Sequence, residues 1–306
     1  MGELLSGAQI LCRVLVEEGV DTIWGYPGGA IMPFYHALPD VPEIRHILVR
    51  HEQAAAHAAD GYARASGRIG VCVATSGPGA TNLVTGLATA HMDSSPVVAI
   101  TGQVPRPMVG RDAFQETDVV GITLPITKHS ALVRDAAELA DELRAAIAIA
   151  TEGRPGPVLI DVPKDVQNQK VEYRPPQTPP AAARRATRPS NERGQTPEPA
   201  DPVAEAARLI ARAERPLLMV GHGVILAGAY DVVRELAEKT GMPVITTLLG
   251  ISALPVAHPL HLGMPGMHGE VHVNRAIQHA DLIVGIGLRF DDRVTGNTKG
   301  FAPRAQ

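Results

Sequence analysis

Apolar residues recur along this chain in two rhythms, short runs alternating with longer stretches at helical spacing. Ser6 stands before a stretch in which Ile10, Leu11, Val14 and Leu15 fall on one helical face, and Gly19 closes it. Strand-length apolar runs are expected at 22–25, 44–49, 70–74, 96–101, 129–133 and 157–162. The run at 44–49, with Ile44, Ile47, Leu48 and Val49, suits a buried strand, and that at 96–101 is apolar enough to be central. Helical patterns lie between them: an alanine-rich one after Glu52, one at 80–92, and one from Asp135, which can cap it, to 150. The alanine-rich helix has a small-residue face that another helix or another subunit can approach closely. Strand and helix units that alternate in this way imply a parallel sheet covered on both faces, an α/β fold.

The rhythm stops at 171–200, which holds seven prolines and almost no large apolar residue, the composition of an extended linker. It resumes with a helix at 201–213, a strand at 216–220 running into Gly221-His222-Gly223, a helix at 228–239 and a strand at 243–246. A helix at 271–279 and a strand at 281–287 complete the pattern. The expected organisation is a first domain over 1–170, a linker over 171–200 and a second α/β unit over 201–306. A length of 306 residues agrees with two domains of roughly 150 each.

Composition narrows the function classes. With 45% hydrophobic and 3% aromatic residues, the cores are built from Val, Ile, Leu and Ala. A net charge of −4 and the absence of a long basic run argue against nucleic acid or anionic membranes as partners. Cys12 and Cys72 stand apart, with neither a disulfide framework nor metal-ligand spacing. No apolar stretch reaches the roughly 18 residues of a membrane span and no signal-peptide layout opens the chain, so a cytoplasmic protein is expected.

Candidate chemistry sits where strands hand over to helices, the edge along which open parallel sheets bind ligands. Three such places carry glycine or a carboxylate: Tyr26-Pro27-Gly28-Gly29, His51-Glu52, and Ser76-Gly77-Pro78-Gly79. Taken alone, Glu52 is a helix-start carboxylate that suits the helix dipole, and each glycine turn is a plain turn. The turn at 76–79 is neither a Walker loop nor a nucleophile elbow. His51, Glu52 and His57 lack the spacing of a zinc hydrolase, and no metal site is expected from them. Gly285-Ile286-Gly287 lacks the third glycine of a dinucleotide fingerprint. The long loop at 102–118 carries Phe114 and Gln115 and is of a length usually kept for function.

Together, Tyr26-Pro27-Gly28-Gly29-Ala30, His51-Glu52-Gln53-Ala54-Ala55 and Thr75-Ser76-Gly77-Pro78-Gly79-Ala80-Thr81-Asn82 resemble the pyrimidine-binding domain of thiamine-diphosphate enzymes. Phe114-Gln115-Glu116 and Arg154-Pro155-Gly156-Pro157 narrow the resemblance to catalytic subunits of the acetolactate synthase (acetohydroxyacid synthase) family. The resemblance implies a parallel-sheet pyrimidine-binding domain followed by an incomplete Rossmann-like central domain that binds FAD. It also implies a transferase that condenses pyruvate with pyruvate or 2-oxobutyrate, with loss of CO2, for branched-chain amino-acid synthesis. Glu52 is then the catalytic carboxyl that hydrogen-bonds N1′ of the aminopyrimidine and promotes its imino tautomer, with Pro27, Gly28, Thr75 and Asn82 lining the thiamine. Phe114, Gln115 and Lys164 line the substrate channel, and Arg293 meets the second oxo acid, for which a guanidinium offers a planar bidentate fork. Arg154, Gly221, Gly223, Thr247, Leu248, Leu262, His268 and Arg289 match the FAD region.

The same resemblance implies a homodimer or higher homo-oligomer, with a possible small regulatory subunit. Two departures stand out: His222 replaces the middle one of three usual glycines, and Ser252 replaces another glycine. The family holds Mg²⁺ and the diphosphate with a Gly-Asp-Gly motif that this sequence lacks, so an N-terminal portion of a catalytic subunit is expected, with Mg²⁺ held by a missing domain. Two rivals stay open: another thiamine-diphosphate 2-oxoacid decarboxylase or oxidase, and a non-catalytic nucleotide-binding module.

Overall fold

Along the strand Gly70–Ala74, Val71 and Val73 join one apolar cluster and Cys72 and Ala74 another, and all four are fully buried. A strand buried on both faces needs helices above and below it, and the sequence supplies them. The structure, a computed structural model, describes residues 2–175 and 201–306, and its contacts divide the chain into units Met1–Asn191 and Glu192–Gln306.

Among the described residues of the first unit, strands β1 (Leu4–Ser6), β2 (Thr22–Gly25), β3 (Arg45–Leu48), β4 (Gly70–Ala74), β5 (Val97–Gln103), β6 (His129–Leu132), β7 (Val158–Pro163) and β8 (Lys170–Glu172) alternate with eight helices. The helices are α1 (Gly7–Glu17), α2 (Met32–Ala37), α3 (Glu52–Ser66), α4 (Pro78–Asn82), α5 (Val84–Asp93), α6 (Val119–Thr123), α7 (Ala136–Thr151) and α8 (Lys164–Asn168). Six strands form one parallel sheet in the order β3-β2-β4-β5-β7-β6, while β1 and β8 pair antiparallel. Helices α1, α2 and α7 cover one face through Leu11, Leu15, Phe34, Leu143 and Ile147. Helices α3 and α5 cover the other through Ala55, Ala56, Ala59 and Leu87. Ser6 and Gln9 make a reciprocal capping box that starts α1, and Asp135 caps α7 by accepting from the Ala137 N–H.

The second unit carries a parallel sheet of β9 (Pro216–Val220), β10 (Val244–Thr246), β11 (His261–Gly263) and β12 (Leu282–Ile286), in the order β11-β10-β9-β12. Its helices are α9 (Pro202–Arg212), α10 (His222–Ala227), α11 (Tyr230–Thr240), α12 (Val271–His279) and α13 (Asp292–Thr295). Among the described residues no helix is long and apolar enough to cross a membrane.

Several expectations are corrected. The run at 44–49 forms an edge strand with Leu48 63% exposed, because β3 has a single neighbour, β2. The helix expected at 80–92 starts earlier, at Pro78, whose fixed φ suits a first helical position, and it divides at Leu83 into α4 and α5. Gly102 and Gln103 extend β5 opposite Val162 and Pro163 instead of opening the loop. Residues 171–172, expected in the linker, lie in β8 against Leu4 and Leu5, and Tyr173 is buried; residues 176–200 of that stretch lie outside the described residues. The short helix α10 was not expected. The small-residue face of α3 is taken by α5, and a methyl added at Gly86 would collide with the Ala56 methyl. Cys12 and Cys72 are buried, and burial pushes both thiols up to about 12.

Candidate functional site

Because the six strands run parallel, the segments that follow β2, β3, β4, β5 and β7 all emerge at one edge of the first unit's sheet. Glu52 opens α3 there, directly after His51, whose Nδ1 accepts the Gln53 N–H at 3.2 Å. Glu52 is buried, 8% exposed as a residue. Asn82, at the end of α4, donates from Nδ2 to Glu52 Oε2 at 2.9 Å. Glu52 Oε1 has no hydrogen bond among the described residues. Gly79 faces it, and a methyl added there would lie 3.2 Å from Oε1. Glycine at 79 therefore leaves that oxygen uncovered.

The turn at 28–30 is clamped from several sides. Thr75 Oγ1 accepts the Ala30 N–H at 3.1 Å, and Gln167 Nε2 donates to the Ala30 carbonyl at 2.8 Å. A methyl at Gly28 would sit 2.5 Å from Thr75 Cβ, and one at Gly102 would sit 2.6 Å from the Ala30 carbonyl carbon. Backbone approaches this close admit only glycine. Pro27 lies exposed at the start of the turn.

The loop after β5 is organised by its own carboxylate. Glu116 accepts from the N–H groups of Gly110, Ala113 (3.0 Å) and Arg111 (3.2 Å), and these bonds hold it below the usual carboxylate range. Asp112 and Gln115 adopt left-handed backbone, with φ of 53° and 57°. Gly77, also left-handed, presses against the Gln115 carbonyl, so the loop rests on the turn beside Glu52. Phe114 is 86% exposed.

At the base of that loop, Gln103 Nε2 donates to the Thr117 carbonyl at 3.0 Å and to Asp161 Oδ2 at 2.9 Å, while Gln103 Oε1 accepts the Val104 N–H at 2.8 Å. Asp161 Oδ1 accepts from Thr101 Oγ1 at 2.7 Å. Burial pushes the Asp161 carboxyl up to about 6, against the pull of those two donors and with a further push from the Asp118 charge.

The structure thus gathers Glu52, Asn82, Thr75, Gly28 and the Gln115 backbone into one region. Lys164 opens α8 at the same edge, half-buried, with its ammonium unpaired among the described residues. Arg154 lies exposed in the segment after α7, where its guanidinium donates to Ser94 Oγ and the Met92 carbonyl at the end of α5. Gly221, Gly223, Thr247, Leu248, Leu262, His268, Arg289 and Arg293 belong to the second unit. There a methyl at Gly221 would meet Leu288 Cβ at 2.5 Å, and the Gly223 N–H donates to the Gly287 carbonyl at 2.7 Å. These two glycines accordingly serve contact between two turns of the protein itself. Arg293 is largely exposed, beside Asp292 and Met267. Sequence reasoning missed Gln103, Asp161 and Gln167. Asp161 had a visible signal, the one charge in the apolar run of β7, whereas the two glutamines had none.

Two family models match the chain. The N-terminal TPP binding domain of thiamine pyrophosphate enzymes matches residues 5–122, and their central domain matches residues 203–306. The chain belongs to the thiamine pyrophosphate enzymes. Within them it is similar to the acetolactate synthase large subunit of Parasynechococcus marenigrum, 54% identical over 307 residues that make up 99% of this chain and 49% of that protein. The acetolactate synthase of Mycobacterium bovis is 54% identical over 303 residues, 99% of this chain and 48% of that one. The large subunit from Corynebacterium glutamicum is 50% identical over 304 residues, 99% and 47% respectively. The chain spans about half the length of the curated relatives it matches.

Proposed function

We propose that this chain forms the pyrimidine-side half of an acetolactate synthase catalytic subunit, which condenses pyruvate with pyruvate or 2-oxobutyrate with loss of CO2. The observation that carries the reading is the Glu52 carboxyl, sheltered from water with one oxygen fixed by Asn82 and the other kept uncovered by Gly79. Such a carboxyl can give and take a proton at Oε1 while Asn82 fixes its orientation. The glycine-lined edge fits a flat heteroaromatic ring, since side chains at Gly28 and Gly79 would crowd Thr75 and Glu52. Thiamine diphosphate, when bound, supplies the electron sink for decarboxylation. Glu52 would hold its pyrimidine, with Pro27, Gly28, Thr75 and Asn82 shaping the wall. Phe114, Gln115 and Lys164 would orient the 2-oxo acid and Arg293 the acceptor's carboxylate. Mg²⁺ and the diphosphate fall to residues outside this sequence, which has no Gly-Asp-Gly.

For FAD, exposed Leu248 and half-exposed Arg289 suit a planar ring and a phosphate, with Arg154, Gly221, Gly223, Thr247, Leu262 and His268 as further contacts. The Gly223 N–H is already engaged, so phosphate binding there would draw on side chains. Cytoplasmic location, a homodimer and a small regulatory subunit go with this reading. The test is a chimera in which this chain replaces the matching half of the Parasynechococcus relative. In it, Glu52→Gln should lower acetolactate turnover about 10²–10⁴-fold, the usual share of one acid–base group. Turnover near that of the parent chimera would refute the role of Glu52.

A further inference from the structure

We infer that Gln103 and Asp161 are positioning residues that staple the two ends of the loop 104–118 together and thereby set Phe114 and Gln115 over the turn at Gly77. One amide side chain touches both ends, with its oxygen on the Val104 N–H and its nitrogen on the Thr117 carbonyl. The remaining N–H meets Asp161 Oδ2, and that contact fixes which way the amide faces. An ionised carboxylate only accepts, so turning the amide over would set oxygen against two acceptors and nitrogen against a donor. Asp161 is itself immobile. It is 1% exposed, paired in register with Thr101 on β5 and Leu132 on β6, and its second oxygen is tied to Thr101. No cation neutralises it among the described residues, and a carboxylate buried in this way is a poor contributor to stability. Its use lies in orienting Gln103. Held at both ends, the loop closes its interior through Glu116 and brings the Gln115 carbonyl against Gly77.

The consequence for substrate rests on the function proposed above; the staple itself does not. Hydrogen exchange of the 306-residue chain tests the staple. Gln103→Glu sets a second carboxylate against Asp161 and the Thr117 carbonyl, and amides of 104–118 should exchange about tenfold faster or more, with those of 97–102 unchanged. Adding Asp161→Asn supplies a donor to the new carboxylate and should return much of the protection, a coupling that two independent sites would not give. Gln103→Met, which removes the amide without adding charge, should loosen the loop alone and serves if the charged variant misfolds. Unchanged loop exchange in both single variants, or a double variant no better than Gln103→Glu, would overturn the inference. In the chimera, Gln103→Met should raise KM for pyruvate several-fold with a smaller change in kcat. A loosened loop with KM unmoved would instead overturn the substrate role given to Phe114 and Gln115.

Discussion

Asp161 is a carboxyl whose proton the folded chain holds more tightly than the unfolded chain does. Its proton is held up to about 6 by burial, whereas an unfolded chain releases it near 4. Between those values the folded protein binds a proton that the unfolded one does not. The stability it contributes is therefore fully present below about pH 4 and is lost as pH rises through about 6, by about 3 kcal/mol at most. The groups acting on it are Thr101 and Gln103, which donate to it, and Asp118, whose charge opposes its ionisation. Asp21, Glu116, Asp165 and Asp281 are shifted downward, so their contributions are lost only at lower pH. Burial also holds the His46 imidazole low, which acts in the opposite sense in this window, so urea unfolding between pH 4.5 and 7.5 is read as a difference: as pH rises, the native sequence should lose stability relative to Asp161→Asn. Equal slopes would show that this carboxyl does not titrate in that window. The residue was legible in the sequence as a charge interrupting Val158-Leu159-Ile160, but its partners were not. Thr101 and Gln103 lie 60 and 58 positions away, and nothing local marks a glutamine that will bridge two loop ends.

At the scale of elements, α3, which begins with Glu52, packs closely against α5. The two helices close to a distance at which Gly86 and Ala56 leave no room for another methyl. Gly86→Val should cost about 1–3 kcal/mol by overpacking. Gly61→Ala, on the same α3 but with nothing within 4 Å of the added methyl, should gain up to about 1 kcal/mol from helix propensity. Thermal unfolding of both variants decides the matter, and equal destabilisation would remove packing as the explanation. Most elements were legible because their cues, apolar spacing and the caps at Ser6 and Asp135, are local; the Gln9 half of the box at Ser6 came only with the structure. The interior place of β5 was legible in its apolar run, but the edge was not. The run at 44–49 is as apolar as a buried strand, and only the strand order places β3 at the rim. The glycine turns of the candidate site were visible in sequence, whereas the Gln167 clamp on Ala30 spans 137 positions and follows from the fold alone.

At the scale of the whole molecule, each unit encloses its own apolar clusters, and both cysteines fall within those of the first. Neither thiol is exposed, and burial keeps both protonated far above neutral pH. Reagents that attack thiolates should therefore leave the native chain unmodified over minutes and react with both residues once urea unfolds it. Rapid native modification of either, read by intact mass, would contradict the packing described. The practical consequence is a silent background for site-specific spectroscopy. A cysteine introduced at Phe114 would be the sole reactive handle on the chain, and a fluorophore attached there would report the motion of the loop in real time, with no native cysteine to remove first.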